Sequence, residues 1–128
     1  MYKVYLVTFK IEGKKVYKIG ITGKSDVQAR FQHLIDNGTI TDFKIHLSRW
    51  VEGEDTAKER ETECFTEIVL NFPENNYITG NGNAHFHNFW LKKKVGGVTE
   101  IRKYDHKEYL FAYSLVDKSG YRYLSECS

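Results

Sequence analysis

The sequence predicts an α+β domain: a small central antiparallel sheet flanked by helices, in the order β-β-α-β-α-β, with a C-terminal β-hairpin extension. Three observations lead there. Two runs rich in β-branched and aromatic residues, "YKVYLVTFKI" (2–11) and "KVYKIGIT" (15–22), surround an "EGKK" turn. Two stripes of helical period follow, with an alternating segment between them. Aromatic residues make up 15 % of the chain and gather in its last third, as β-structure or base-stacking surfaces require.

Taken in order, the first two runs form a hairpin whose glycine stands where a tight turn needs one. Ser25 or Asp26 caps a helix that runs to about Asn37-Gly38, a helix stop. "DFKIHLSRWV" (42–51) alternates as a third strand. "GEDTAKERETECFTEIVLNF" (53–72) is the second helix; Glu54 and Asp55 favour its N-terminal dipole and Pro73, the only proline, ends it. "NNYITGNGNAHFHN" (75–88) reads as a polar loop around a short strand. "EYLFAYSLV" and "YRYLSEC", joined by "DKSG", read as the last hairpin. The chain is thus one domain, 1–128, with a core over 1–91 and an extension over 92–128.

A length of 128 residues suits one domain able to bury a core without staples. Nineteen Lys and Arg against 17 Asp and Glu leave a formal charge of +2, so any nucleic-acid site must come from local patches. Two cysteines, Cys64 and Cys127, make neither a disulfide framework nor a ligand cluster. No apolar run reaches membrane-spanning length, and the start lacks a signal-peptide core. The expected setting is the cytoplasm, without membrane contact.

Two charges break the stripes. In the first helix Arg30 falls among Val27, Phe31 and Leu34; in the second, Glu61 fills the i+4 position between Ala57 and the apolar Cys64, Phe65, Ile68 and Phe72. An unpaired buried charge costs several kcal/mol, so each must be paired, bound to metal or lining a cleft. A structural Arg30–Glu61 bridge, an error in helix phase and a functional cleft all remain open. Hairpin parity favours the cleft: opposite positions sum to an odd number, so Tyr5 shares a face with Lys18, Gly20 and Thr22. Tyr17 takes the other face. The bare Gly20 leaves room for something to approach the backbone. Tyr or Lys as proton acceptor, Arg to neutralise phosphate charge and Glu to hold one Mg²⁺ suffice for metal-assisted phosphodiester hydrolysis.

These residues resemble the GIY-YIG nuclease superfamily, and within it the phage-type subgroup with a "KIG-x-T" second motif. "KVYLV" around Tyr5 is similar to the first motif, "YKIGIT" with Gly20 to the second, Arg30 to the helix arginine, and "AKERE" (57–61) to the segment ending in the metal-binding glutamate. The resemblance implies a DNA endonuclease using Mg²⁺ or Mn²⁺. Tyr5 would be base or hydrogen-bonded relay, Lys18 its auxiliary, Arg30 the phosphate clamp and Glu61 the metal ligand. Gly20, Thr22, His33, His87 and Asn88 would lie on the substrate side. Lys18 stands where the family has its second tyrosine, and His87-Asn88-Phe89-Trp90 stands where a late glutamate is expected. Those departures keep an alternative: a catalytically weakened module that binds DNA or a protein partner, such as a phage factor acting against host defence. A purely structural interaction domain would instead make Arg30–Glu61 a salt bridge.

Two signals lie outside the motifs. His85 and His87 in "HFH" read as a metal pair, as site-lining groups or as ordinary loop histidines. Lys92, Lys93 and Lys94, followed by Arg102, Lys103, Tyr104, His106 and Lys107, form a basic, aromatic-interleaved stretch that either meets a phosphate backbone or is solvated surface.

Overall fold

The structure, a computed structural model, describes residues 1–73, 75, 77–78 and 101–120. β1 (Tyr2–Ile11) and β2 (Lys14–Thr22) form the expected hairpin. At its turn Glu12 and Gly13 have φ of 52° and 75°, the positive values that a two-residue turn needs to follow the strand twist. The register pairs Tyr5 with Gly20 and Val7 with Lys18, the parity expected from sequence.

Asp26 caps the next element, its carboxylate accepting from the Gln28 N–H at 3.0 Å. A 3₁₀ turn (Val27–Arg30) leads into the short α1 (Gln32–Asp36), which ends at Asn37 and Gly38 as predicted. β3 (Ile40–Val51) pairs antiparallel with the free side of β1. It bulges twice: Asp42 adopts φ 54° in the first irregularity, and His46 is the extra residue between the Leu6–Leu47 and Val7–Ile45 pairs. Such a bulge re-aims a side chain. α2 (Glu54–Asn71) follows, then two short strands, β4 (Tyr77–Ile78) and β5 (Ile101–Lys103). The antiparallel sheet has the order β3-β1-β2-β5-β4.

The last hairpin is corrected. Residues 108–116, read as a strand, belong to α3 (His106–Lys118); the proposed partner strand at 121–127 lies outside the described residues. Asp105 caps α3 by accepting from the Glu108 N–H at 3.0 Å, and Asp105-x-x-Glu108 is a capping-box spacing. Aromatics at 109, 111 and 113 imitated strand alternation, but Glu108, Ala112 and Val116 recur every four residues and are the buried ones.

The sheet carries a core on each face. Odd residues of β1 (Tyr5, Val7, Phe9) pack with Val27, Phe31 and Leu34. Even ones (Val4, Leu6), with Tyr17 and Ile19, pack under Ala57, Cys64 and Ile68 of α2 and Ala112 and Val116 of α3. Tyr17 therefore takes the face opposite Tyr5. There its hydroxyl donates to Glu108, whose carboxylate also accepts from Arg102 Nε at 2.6 Å and from Asn75 Nδ2 at 2.8 Å. By sequence Arg102 belongs to a basic stretch that either meets a phosphate backbone or is solvated surface; the structure buries it in this ion pair instead. Among the described residues no helix is long and apolar enough to cross a membrane.

Candidate active site

Tyr5 lies in the middle strand of β3-β1-β2, fully buried at its ring and flanked edge-on by Phe31 at 5.9 Å. A Cβ on Gly20 would come within 2.4 to 2.9 Å of the Tyr5 hydroxyl and ring. The vacancy expected to admit a ligand thus holds the Tyr5 ring, whose hydroxyl end lies over Gly20 of β2. Any larger residue at 20 would displace the phenol.

Two charges act on that hydroxyl. The Arg30 guanidinium stands beside it as cation and hydrogen-bond donor, and the Glu61 carboxylate bears on it from α2. Burial dominates and pushes the Tyr5 phenol up to about 12; Arg30 opposes the rise and Glu61 adds to it. At neutral pH Tyr5 is therefore a protonated phenol, able to donate a hydrogen bond.

The expected burial of Arg30 is corrected: Val27, Phe31 and Leu34 are buried, while Arg30 is exposed and reaches the phenol from the rim. Glu61 is half-buried within the stripe of Ala57, Cys64 and Ile68, as its spacing predicted. The fully buried ion pair among the described residues is Arg102–Glu108, not Arg30–Glu61.

Lys18 is 7 % exposed and lies one pair beyond Gly20 on the Tyr5 face. Thr22 lies one pair to the other side, buried, with its Oγ1 accepting from the Lys24 N–H at 3.1 Å; it shapes the end of β2. The structure does not gather His33 into the group: it is exposed on α1. His85, His87, Asn88, Lys92, Lys93 and Lys94 lie outside the described residues. Sequence reasoning missed Lys3 and Trp50, which pair across β1 and β3 one step from Tyr5. Lys3 Nζ sits 4.7 Å over the Trp50 ring, which is 43 % exposed beside the site. Only the β1–β3 register reveals them, and the bulges make that register illegible from sequence.

Among the described residues no three His, Cys, Asp or Glu side chains group to hold a metal. The half-buried Glu61 carboxylate is one oxygen ligand of the kind taken by a hard cation that keeps most of its waters; the Arg30 guanidinium and the protonated phenol are not metal donors. A cleft of about 420 Å³ opens elsewhere, beside Glu108 and Tyr104. Of its two acids, Glu108 is bound to Arg102 and Asp105 caps α3. Comparison of the chain with family models, curated proteins and solved structures finds no match in any of the three.

Proposed function

We propose that the protein is a GIY-YIG-like endonuclease that hydrolyses phosphodiester bonds of DNA with one Mg²⁺ or Mn²⁺. The observation that supports this reading is the buried Tyr5 phenol with the Arg30 guanidinium hydrogen-bonded to it and the Glu61 carboxylate of α2 in electrostatic range. The exposed Arg30 is free to swing onto a phosphate and offset the charge that grows on it in the transition state. Glu61 would hold the metal, which when bound supplies positive charge at a phosphate oxygen and lowers the pKa of a bound water. Tyr5, protonated at neutral pH, would act as a hydrogen-bonded relay: its oxygen takes the attacking water's proton as its own proton passes to the Lys18 amine, which must be neutral to accept it. The Lys18 amine, one pair away, is the auxiliary of that relay.

The test is nicking of supercoiled plasmid with Mg²⁺ or Mn²⁺. Glu61→Gln should cut slower by on the order of 10²-fold or more while keeping its fold and its DNA affinity. A wild-type protein that cuts neither DNA nor RNA with either metal would sink the enzymatic reading.

The raised Tyr5 phenol favours one second reading. With no phenolate at neutral pH, the same fold would serve as a catalytically weakened module that binds DNA or a protein partner. Retained DNA binding without cutting, in wild type and Glu61→Gln alike, is its signature.

A further inference from the structure

The other face of the sheet, at the hairpin-turn end, carries rings and cations that the core uses only in part. The buried stripe of α3 is Glu108, Ala112 and Val116. Beside it runs a second stripe, His106, Tyr109 and Tyr113 at i, i+3 and i+7, extended by Tyr104 just before the helix. These rings form a continuous row: Tyr104–Tyr109 centroids are 5.5 Å apart, His106–Tyr109 6.1 Å with planes 23° from parallel, and Tyr109–Tyr113 6.2 Å. They are not core. His106 is exposed and Tyr113 is 38 % exposed.

Cations adjoin the row. Lys15 Nζ lies 4.1 Å over the Tyr104 ring. Lys44 pairs with Thr8 and faces the same side as the bulged His46, whose ring nitrogens meet Tyr109 Oη at 2.9 Å and Thr8 Oγ1 at 2.7 Å. Lys15 and Lys44 both hold the His46 imidazole below its ordinary range, after burial. Lys10 and Lys15 stand directly opposite each other in the ladder, which concentrates positive charge at this end of the hairpin. The neighbouring acids are engaged: Asp105 caps α3, Glu108 is buried against Arg102, and Asp42 pairs with Lys10 at 3.3 Å. The surface is positive and aromatic together.

We propose that Tyr104, His106, Tyr109 and Tyr113, with Lys15 and Lys44, form a binding surface for single-stranded nucleic acid, the rings stacking on unpaired bases and the lysines meeting phosphates. Exposed rings interleaved with cations suit a strand whose bases are unstacked; in a duplex the base faces are already occupied. A duplex site would instead offer a basic element shaped to enter a groove. The surface lies on the opposite sheet face from Tyr5, so a strand held here does not occupy the candidate active site. The inference stands apart from the cleavage reading, because binding is measured without metal.

The experiment is fluorescence anisotropy of the full chain, in EDTA, with labelled oligo-dT and oligo-U of about 15 nucleotides and a duplex of equal length. Either single strand should bind at least about 10-fold more tightly than the duplex. Tyr113→Leu, an exposed position that leaves the fold intact by its melting curve, should weaken binding by roughly 5- to 100-fold. Tyr113→Phe keeps the ring and should restore it. Lys15→Gln should flatten the log–log salt dependence by about 0.7. Equal affinity for duplex and single strand with no effect of Tyr113→Leu overturns the proposal. So does a loss of binding in Arg30→Gln but not in Tyr113→Leu, which moves the strand to the Tyr5 face. Equally effective competition by poly-glutamate also overturns it, by making the surface a site for acidic peptides.

Discussion

Two tyrosines of the hairpin, Tyr5 and Tyr17, each lie in the field of one arginine and one glutamate, and the two sets behave as opposites. Around Tyr17, the partners Arg102 and Glu108 are sealed between β2, β5 and α3, and every contact is made within the protein. Around Tyr5, Arg30 is exposed and Glu61 only half-buried. The same three functional groups thus form a sealed network around Tyr17, and around Tyr5 a buried phenol whose charged neighbours keep contact with solvent. What separates them is solvent access: a guanidinium buried against a carboxylate is out of reach of a phosphate in solution, whereas one at the rim is not.

The difference can be broken most forcefully from the sealed side. Glu108→Gln leaves Arg102 buried without its counter-charge and should cost about 3–5 kcal/mol, read as a lowered urea midpoint. A change under about 1 kcal/mol would mean that the network is solvated and that the two sites are alike.

Alkali should sharpen it next. Both phenols are raised above the ordinary value of 10.0, Tyr5 to about 12. Burial is the first cause in each; Arg30 eases ionisation of Tyr5, while the hydrogen bond to Glu108 further resists ionisation of Tyr17. A folded-state pKa above the unfolded one gives stability that is complete below pH 10 and is lost as pH rises through the folded value. For Tyr5 that loss amounts to about 2 to 3 kcal/mol by pH 12. Phenolate absorbance in Tyr5→Phe and Tyr17→Phe should show Tyr5 ionising before Tyr17; the reverse order would contradict the open-and-sealed contrast.

The smallest effect belongs to the open side. Arg30→Gln should change stability by less than about 1 kcal/mol, because an exposed guanidinium loses little that water does not replace. Its melting curve should overlay the wild type while any cleavage falls. A destabilisation as large as that of Glu108→Gln would make Arg30 a structural residue.

Much of this was legible in the residues. The two-residue Glu12-Gly13 turn fixes the hairpin register, and side chains alternate with period two, so Tyr5, Lys18, Gly20 and Thr22 had to share a face. The α2 stripe with Glu61 inside it followed from a period of 3.6 over 18 residues. Local rules reach that far because turn geometry and helix repeat are set by neighbours in the chain.

The remainder was decided by tertiary structure. Arg30 read as buried because its spacing from Phe31 and Leu34 assumed one continuous helix, whereas a 3₁₀ turn and a five-residue helix set it at the rim. The stretch 108–116 could pass for a strand by composition, and its helix follows from the Asp105 cap together with the burial of Glu108 against Arg102 and Tyr17. The capping box was a local signal that could have been read; the ion pair, joining residues 17, 102 and 108, was not. Bulges at Asp42 and His46 shift the β1–β3 register and so decide that Trp50 stands by Lys3 and that His46 meets Tyr109. Pairing between distant strands depends on packing that no single segment encodes, which is why the sequence could name the members of the Tyr5 face but not which charges would stay in reach of water.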